Sequence, residues 1–265
     1  MPKINYLRAL IDDLEEDQMR SILEEYAKQD KSFEAFVIEK SGRAVETGKT
    51  YQEYRDEMLK VLEKCSTRKG FVKVTRLKNA GLASFEKLLA SHFNNENFVT
   101  ALWMSLSLME MLHGAILQNT RYRWANKPYK SFEKILDETR DRFDTAFQFA
   151  KPNRKQHQQI VKAIVRMWWA ERERPYEHRY FDEEDLFRYA KRDEDLLSIQ
   201  ICLQELQPRA QELDKKYAKR SGSWKNFWSQ YFDFGASDEE THPETLMALL
   251  NQVEAKVKVE LEKWD

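Results

Sequence analysis

The residues with chemistry to offer are few and scattered. Glu110 and His113 stand three apart in the stretch Phe98 to Leu117. Ferritin-like bundles build a di-iron site from two such Glu-x-x-His motifs and two further glutamates. One copy on an otherwise apolar face reads instead as a satisfied core histidine. His157 and His178 stand apart, and no His-x-x-x-His occurs, so zinc has no support. Glu177 and His178 lie between Tyr176 and Tyr180, but adjacent residues on a helix point different ways. Cys65 and Cys202 are isolated, each inside an apolar helical pattern, and read as buried thiols of a reducing compartment. The seven glycines form neither G-x-G-x-x-G nor G-x-x-x-x-G-K, and no G-x-S-x-G elbow appears. The expectation is a chain without a catalytic constellation, metal or cofactor. The runner-up is a helical enzyme or metal protein with its site near Glu110, His113 and His178.

The strongest binding candidate is the stretch from Arg166 to Phe181. Arginine and aromatic side chains dominate interaction hot spots, and here they interleave: Arg166, Trp169, Arg172, Arg174, His178, Arg179 and Tyr180. The bland reading is internal pairing, because residues 166–192 hold seven Lys/Arg and seven Asp/Glu. A neutral stretch also argues against an RNA groove, which is one-signed. Lys64 to Lys78 is the one long basic run, with Lys64, Arg68, Lys69, Lys73, Arg76 and Lys78 and no acid. With Arg121 to Lys130 it supports a second alternative, a nucleic-acid accessory protein. A solvated face explains the run better, since only Phe71 offers stacking there. The acidic run Asp12, Asp13, Glu15, Glu16, Asp17 lacks the alternation and the glycine of a calcium loop.

The elements that must hold these residues are helices. The chain has 265 residues, 42% hydrophobic and 34% charged, with seven Gly and six Pro. So few breakers over such a length imply long elements, and the good helix formers Leu, Glu, Lys, Ala and Arg are abundant. The net charge of −1 recruits neither nucleic acid nor an anionic membrane. Phe98 to Leu117 is the most apolar stretch; Leu102, Ser105, Leu106, Met109 and Leu112 mark one face and Ala101, Leu108 and Ala115 a second. It is expected to be a central helix and not a membrane span, because Glu110 and His113 interrupt it.

Other stripes predict helices before and after it. Ile4 to Leu14 is short. Met19, Ile22, Leu23 and Tyr26 follow a cap at Asp17. Phe33, Phe36 and Val37 follow Ser32. Tyr51, Tyr54, Met58, Val61, Leu62 and Cys65 follow Thr50. Val74 to Phe93 is read as one helix. Ser131 opens another with Phe132, Ile135, Leu136, Phe143 and Phe147, and Pro152 opens one carrying Ile160, Ile164 and Trp168. Asp182 caps a short helix. A longer one from Asp193 or Glu194 should kink or split at Pro208. Trp224, Phe227, Trp228 and Phe232 share a face, with Tyr231 beside them. Pro243 opens a last helix to Trp264. The only candidate strand is Phe71 to Val74.

Ser84-Phe85-Glu86-Lys87-Leu88-Leu89 recurs 47 residues later as Ser131-Phe132-Glu133-Lys134-Ile135-Leu136, with a fainter echo at Ser32-Phe33-Glu34. The fold expected is all-α, about 10–12 helices stacked as antiparallel pairs in an α-α superhelix. It would form a single helical domain over 1–265, with a possible division at Gly70 into 1–69 and 70–265. Asn97-Phe98-Val99-Thr100-Ala101-Leu102, continuing through Leu106 to Leu112, resembles the helical region that follows the SWIM zinc finger in bacterial proteins. Helices like Leu77 to Phe93 and Phe132 to Phe149 flank it there, so the likeness covers about residues 70–190. It implies a helical-repeat module. The finger itself needs Cys-x-Cys and Cys-x-His, which this chain lacks, so zinc and DNA binding are not carried over. The functional expectation is a non-enzymatic scaffold that binds another protein. A cytoplasmic location is expected, because Met-Pro-Lys-Ile-Asn-Tyr is not the start of a signal peptide.

Overall fold

The computed structural model describes residues 14–30, 32–33, 36, 48–66, 72–119, 129–173, 180–221 and 245–263. Among them the regular structure is helical throughout: α1 Glu16–Gln29, α2 Tyr51–Cys65, α3 Val74–Leu77, α4 Ala83–Asn94, α5 Phe98–Asn119, α6 Tyr129–Ala150, α7 Arg154–Arg172, α8 Glu183–Arg188, α9 Asp193–Ser221 and α10 Leu246–Glu262. The candidate strand at Phe71 to Val74 has no counterpart among the described residues. Lys73 is extended only as the residue before α3 (φ −103°, ψ 133°), and Phe71 lies outside the described residues.

The starts of three helices follow from capping chemistry. The Thr50 N–H donates to the Glu53 carboxylate at 2.7 Å and the Glu53 N–H to the Thr50 hydroxyl at 3.4 Å. The Thr50 N–H and the Thr50 hydroxyl, which donates to the same oxygen at 2.9 Å, hold the Glu53 carboxyl below its usual range. The same reciprocal pair opens α7, between Asn153 and Gln156, and α8, between Asp182 and Asp185. Each satisfies two of the N–H groups that a helix start leaves without partners. In α1 the cap is Glu15 rather than Asp17, and the Gln18 side chain accepts the Glu15 N–H at 3.2 Å. α6 begins at Tyr129, ahead of the expected Ser131.

The helix expected over Val74 to Phe93 is interrupted. A π turn spans Lys78–Leu82, with Gly81 at φ 129°. That backbone is open to glycine and strained for any other residue. The apolar register survives the break, and Leu77, Leu82, Phe85, Leu88 and Leu89 are all buried. Pro208 does not split α9, which continues through it.

The chain divides into two compact units, Met1–Leu112 with Lys127–Lys151, and His113–Asn126 with Pro152–Asp265. This differs from the division at 69/70 considered from the sequence. The boundary falls within α5, the helix whose apolar residues occupy more than one face. α5 is long and apolar enough to cross a membrane by composition, but 83% of its most apolar window is buried, as in a core helix. In the first unit Tyr54 packs edge-on to Phe85 (centroids 6.1 Å apart), Tyr51 lies beside Trp103 (5.9 Å), and Phe98 stacks on Phe149 (4.9 Å). In the second, contacts fix helix directions. Gln207 meets Glu254 and Asp214 meets Leu246, so α9 and α10 are antiparallel. Arg154 meets Glu194 and Arg209 meets Glu173, so α7 and α9 run the same way.

Several sequence expectations lie outside the described residues: Ile4 to Asp13, Val37, Arg68 to Phe71, Arg121 to Pro128, the aromatic cluster Trp224 to Phe232, and Pro243.

Candidate functional site

The stretch singled out for binding is built inward. α7 ends on Glu171 and Arg172, both buried. Burying a carboxylate is costly unless its lone pairs are filled. Glu171 fills them from several sides. Its Oε1 lies 2.9 Å from His113 Nε2 and accepts the Tyr180 N–H at 3.1 Å; its Oε2 accepts the Phe181 N–H and Arg172 Nη1, both at 3.3 Å. Arg172 Nη1 also donates to the carbonyls of Trp168 (3.0 Å) and Phe181 (2.7 Å), and its guanidinium lies 4.6 Å from the Trp168 ring centroid. The Phe181 ring meets the His113 imidazole edge-on at 5.3 Å. One carboxylate and one guanidinium thus clamp the chain at residues 180–181 onto the end of α7 and the end of α5.

Among the partner-contact candidates, Trp169 and Arg172 are buried. Trp169 Nε1 donates to Glu173 Oε1 at 2.9 Å, and the same oxygen accepts Arg209 Nε at 3.1 Å. Arg166 is exposed and Tyr180 is half-buried, while Arg174, His178 and Arg179 lie outside the described residues. The polar groups of Trp169 and Arg172 are directed to partners within the unit.

The Glu-x-x-His pair is divided between two networks. Glu110 accepts the Tyr51 hydroxyl and, at 2.9 Å, Arg55 Nε, whereas His113 belongs to Glu171. The His113 side chain is only 3% exposed. His157 Nδ1 lies 3.5 Å from Asp195 Oδ2, which also accepts the Lys191 N–H at 3.0 Å. Burial lowers the His157 pKa, with Arg192 and Lys191 acting in the same direction and Asp195 and the Tyr189 backbone opposing. At His92 the tautomer follows from its neighbour. Asn97 Oδ1 takes the Thr100 N–H at 3.4 Å as the cap of α5, so its Nδ2 donates to His92 Nδ1 at 3.2 Å. The proton therefore sits on Nε2, which has no partner among the described residues. Burial pushes the His92 pKa down to about 4. Among the described residues no three His, Cys, Asp or Glu side chains gather as a metal site would require.

The surface that sequence reasoning missed is on α1. Ile22, Leu23 and Tyr26, read as an inward stripe, are 52%, 45% and 51% exposed, and Phe36 is 52% exposed. Tyr26 meets Phe33 edge-on at 4.9 Å, and Phe33 stacks on Phe36 at 6.4 Å. The signal was present as an apolar stripe. What it lacked was any statement of what covers it. No family model matches this chain, and comparison with curated proteins and with solved structures likewise found no match.

Proposed function

We propose that this chain is a non-enzymatic helical binding protein whose partner is another protein. The exposed apolar and aromatic face formed by Ile22, Leu23, Tyr26 and Phe36 carries the reading. Single exposed apolar residues are ordinary, but several gathered on one surface are the mark of a contact site. The contact surface proposed is this face rather than the Arg166 to Tyr180 stretch, since Trp169 and Arg172 are spent inside the unit. A stack of helix pairs, as the hexapeptide repeat and the SWIM-associated likeness imply, suits such a role. The cytoplasm is the proposed compartment.

The test is a photo-crosslinking residue placed at Tyr26 in the full chain, expressed in its own host. A discrete protein adduct, absent when the same residue replaces exposed Lys162 on α7, is the expected result. No adduct at Tyr26 above the Lys162 control refutes the reading.

A further inference from the structure

The corner between α4 and α5 is closed by one buried pair. α4 ends at Asn94 and α5 starts at Phe98, and between them Glu96 takes φ 60°. His92 and Asn97 join the two sides twice. The Asn97 N–H donates to the His92 carbonyl at 2.9 Å, and Asn97 Nδ2 donates to His92 Nδ1 at 3.2 Å. Both residues are buried. The oxygen of the same amide, Oδ1, takes the Thr100 N–H at 3.4 Å. The amide can satisfy both neighbours in one orientation only, and that orientation needs a lone pair on His92 Nδ1, hence a neutral ring. Glu96, the one carboxylate in the turn, is exposed. No charged side chain among the described residues bears on the imidazole, and burial alone opposes its charging.

We infer that His92 and Asn97 form an acid-sensitive lock on this corner, in which a proton on His92 Nδ1 turns the Asn97 amide over and uncaps α5. The steps follow from counting donors and acceptors. A proton taken from solvent occupies the Nδ1 lone pair, and the new Nδ1–H then faces the Asn97 NH2 donor to donor. A half-turn of the amide brings Oδ1 onto Nδ1–H in a charge-assisted bond. The same half-turn points the NH2 at the Thr100 N–H, so the cap of α5 is lost. A helix start without its cap leaves an N–H unanswered and frays. The first residue of that turn is Phe98, whose ring stacks on Phe149 of α6 at 4.9 Å and meets Phe93 of α4 edge-on at 5.8 Å. Protonation of one imidazole is thereby passed to a ring cluster shared by three helices. The lock is independent of the binding face on α1.

The test follows the full chain by NMR as the pH is lowered from neutral through the His92 titration. The probes are the ring nitrogens of His92, the side-chain amide of Asn97 and the backbone amide of Thr100. At neutral pH the His92 proton is expected on Nε2. As His92 titrates, the Asn97 and Thr100 signals should shift with the same midpoint. Exchange of the Thr100 amide, corrected for its intrinsic pH dependence, should quicken about fivefold to tenfold. Leu106, in the buried middle of α5, should not move. The variant Asn97→Asp offers one oxygen to Thr100 and one to a protonated His92. It is expected to raise the His92 midpoint by about 1–3 pH units and to hold the Thr100 signal still across the titration. A proton on Nδ1 at neutral pH, a Thr100 amide indifferent to the His92 titration, or an unchanged midpoint in Asn97→Asp each overturns the lock. Loss of every amide signal in one step as His92 titrates overturns it too, because protonation then unfolds the chain instead of opening one corner.

Discussion

The Glu171 carboxylate is the tie on which the end of α7 depends, and replacing it should show that directly. In Glu171→Ala, His113, Arg172 and the N–H groups of Tyr180 and Phe181 all lose an acceptor in a place closed to water. A buried donor left without a partner costs about 1–3 kcal/mol, and breaking one side of a buried ion pair about 3–5 kcal/mol. These costs overlap, because Arg172 keeps the carbonyls of Trp168 and Phe181 and water can enter the space left behind. A loss of about 4 kcal/mol follows. Across a chain of this size it lowers the melting temperature by roughly 10 °C. Glu171→Gln keeps one acceptor oxygen, which serves either His113 and the Tyr180 N–H or Arg172 and the Phe181 N–H, and puts an amide NH2 in place of the other, so about half that loss is expected. The local reading is amide exchange at Tyr180 and Phe181, which should accelerate about a thousandfold in Glu171→Ala if their protection comes from this bond. A coupling of about 1–2 kcal/mol between Glu171→Ala and His113→Phe should appear in a double-mutant cycle. A loss below about 1 kcal/mol with unchanged exchange at residues 180–181 would refute the assignment of Glu171 as the tie.

Two further outcomes follow from single residues. His92 stays neutral in the fold down to about pH 4, whereas its ordinary value is 6.5. Between these values the unfolded chain takes up a proton that the folded chain refuses. Stability from this group is therefore complete above pH 6.5 and is lost as pH falls toward 4, by up to about 3 kcal/mol. Urea midpoints measured across this window should fall less steeply for His92→Gln than for the unaltered chain, and equal slopes would contradict the argument. Gly81→Ala should destabilise by at least about 1 kcal/mol even though its added Cβ meets nothing closer than Val61 Cγ2 at 3.7 Å, since the cost lies in the backbone at φ 129°. Thermal melts that coincide for the two proteins would show that the π turn relaxes without strain.

How much of this was readable beforehand depends on the range of the interaction. Thr50 with Glu53 and Asp182 with Asp185 act over three residues, so their boxes lie in plain text. Asn153 with Gln156 has the same span, but a helix opened by Pro152 starts two residues too early. The apolar saturation of Phe98 to Leu117 pointed to burial on several sides, and Ala101 to Met109 are buried without exception. Gly81 was hidden by its surroundings. One glycine amid good helix formers costs too little in a propensity sum to announce a break, and only the backbone angle reveals why it is there. The tie at Glu171 was beyond sequence reasoning of any kind, because His113 is 58 residues away and nothing local marks that glutamate from its neighbours.

The contrast between α1 and α2 isolates what hydrophobic periodicity means. Met19, Ile22, Leu23 and Tyr26 have the same spacing logic as Tyr51, Tyr54, Met58, Leu62 and Cys65, and both sets read as core. The second set is buried, while Ile22, Leu23 and Tyr26 are about half exposed. Amphipathicity requires that an apolar face be covered by something; it does not require that the cover be the same chain. What separates the two stripes is what packs on them: Tyr54 of α2 meets Phe85 and Tyr51 meets Trp103 within their own unit, whereas Ile22, Leu23 and Tyr26 of α1 remain about half exposed.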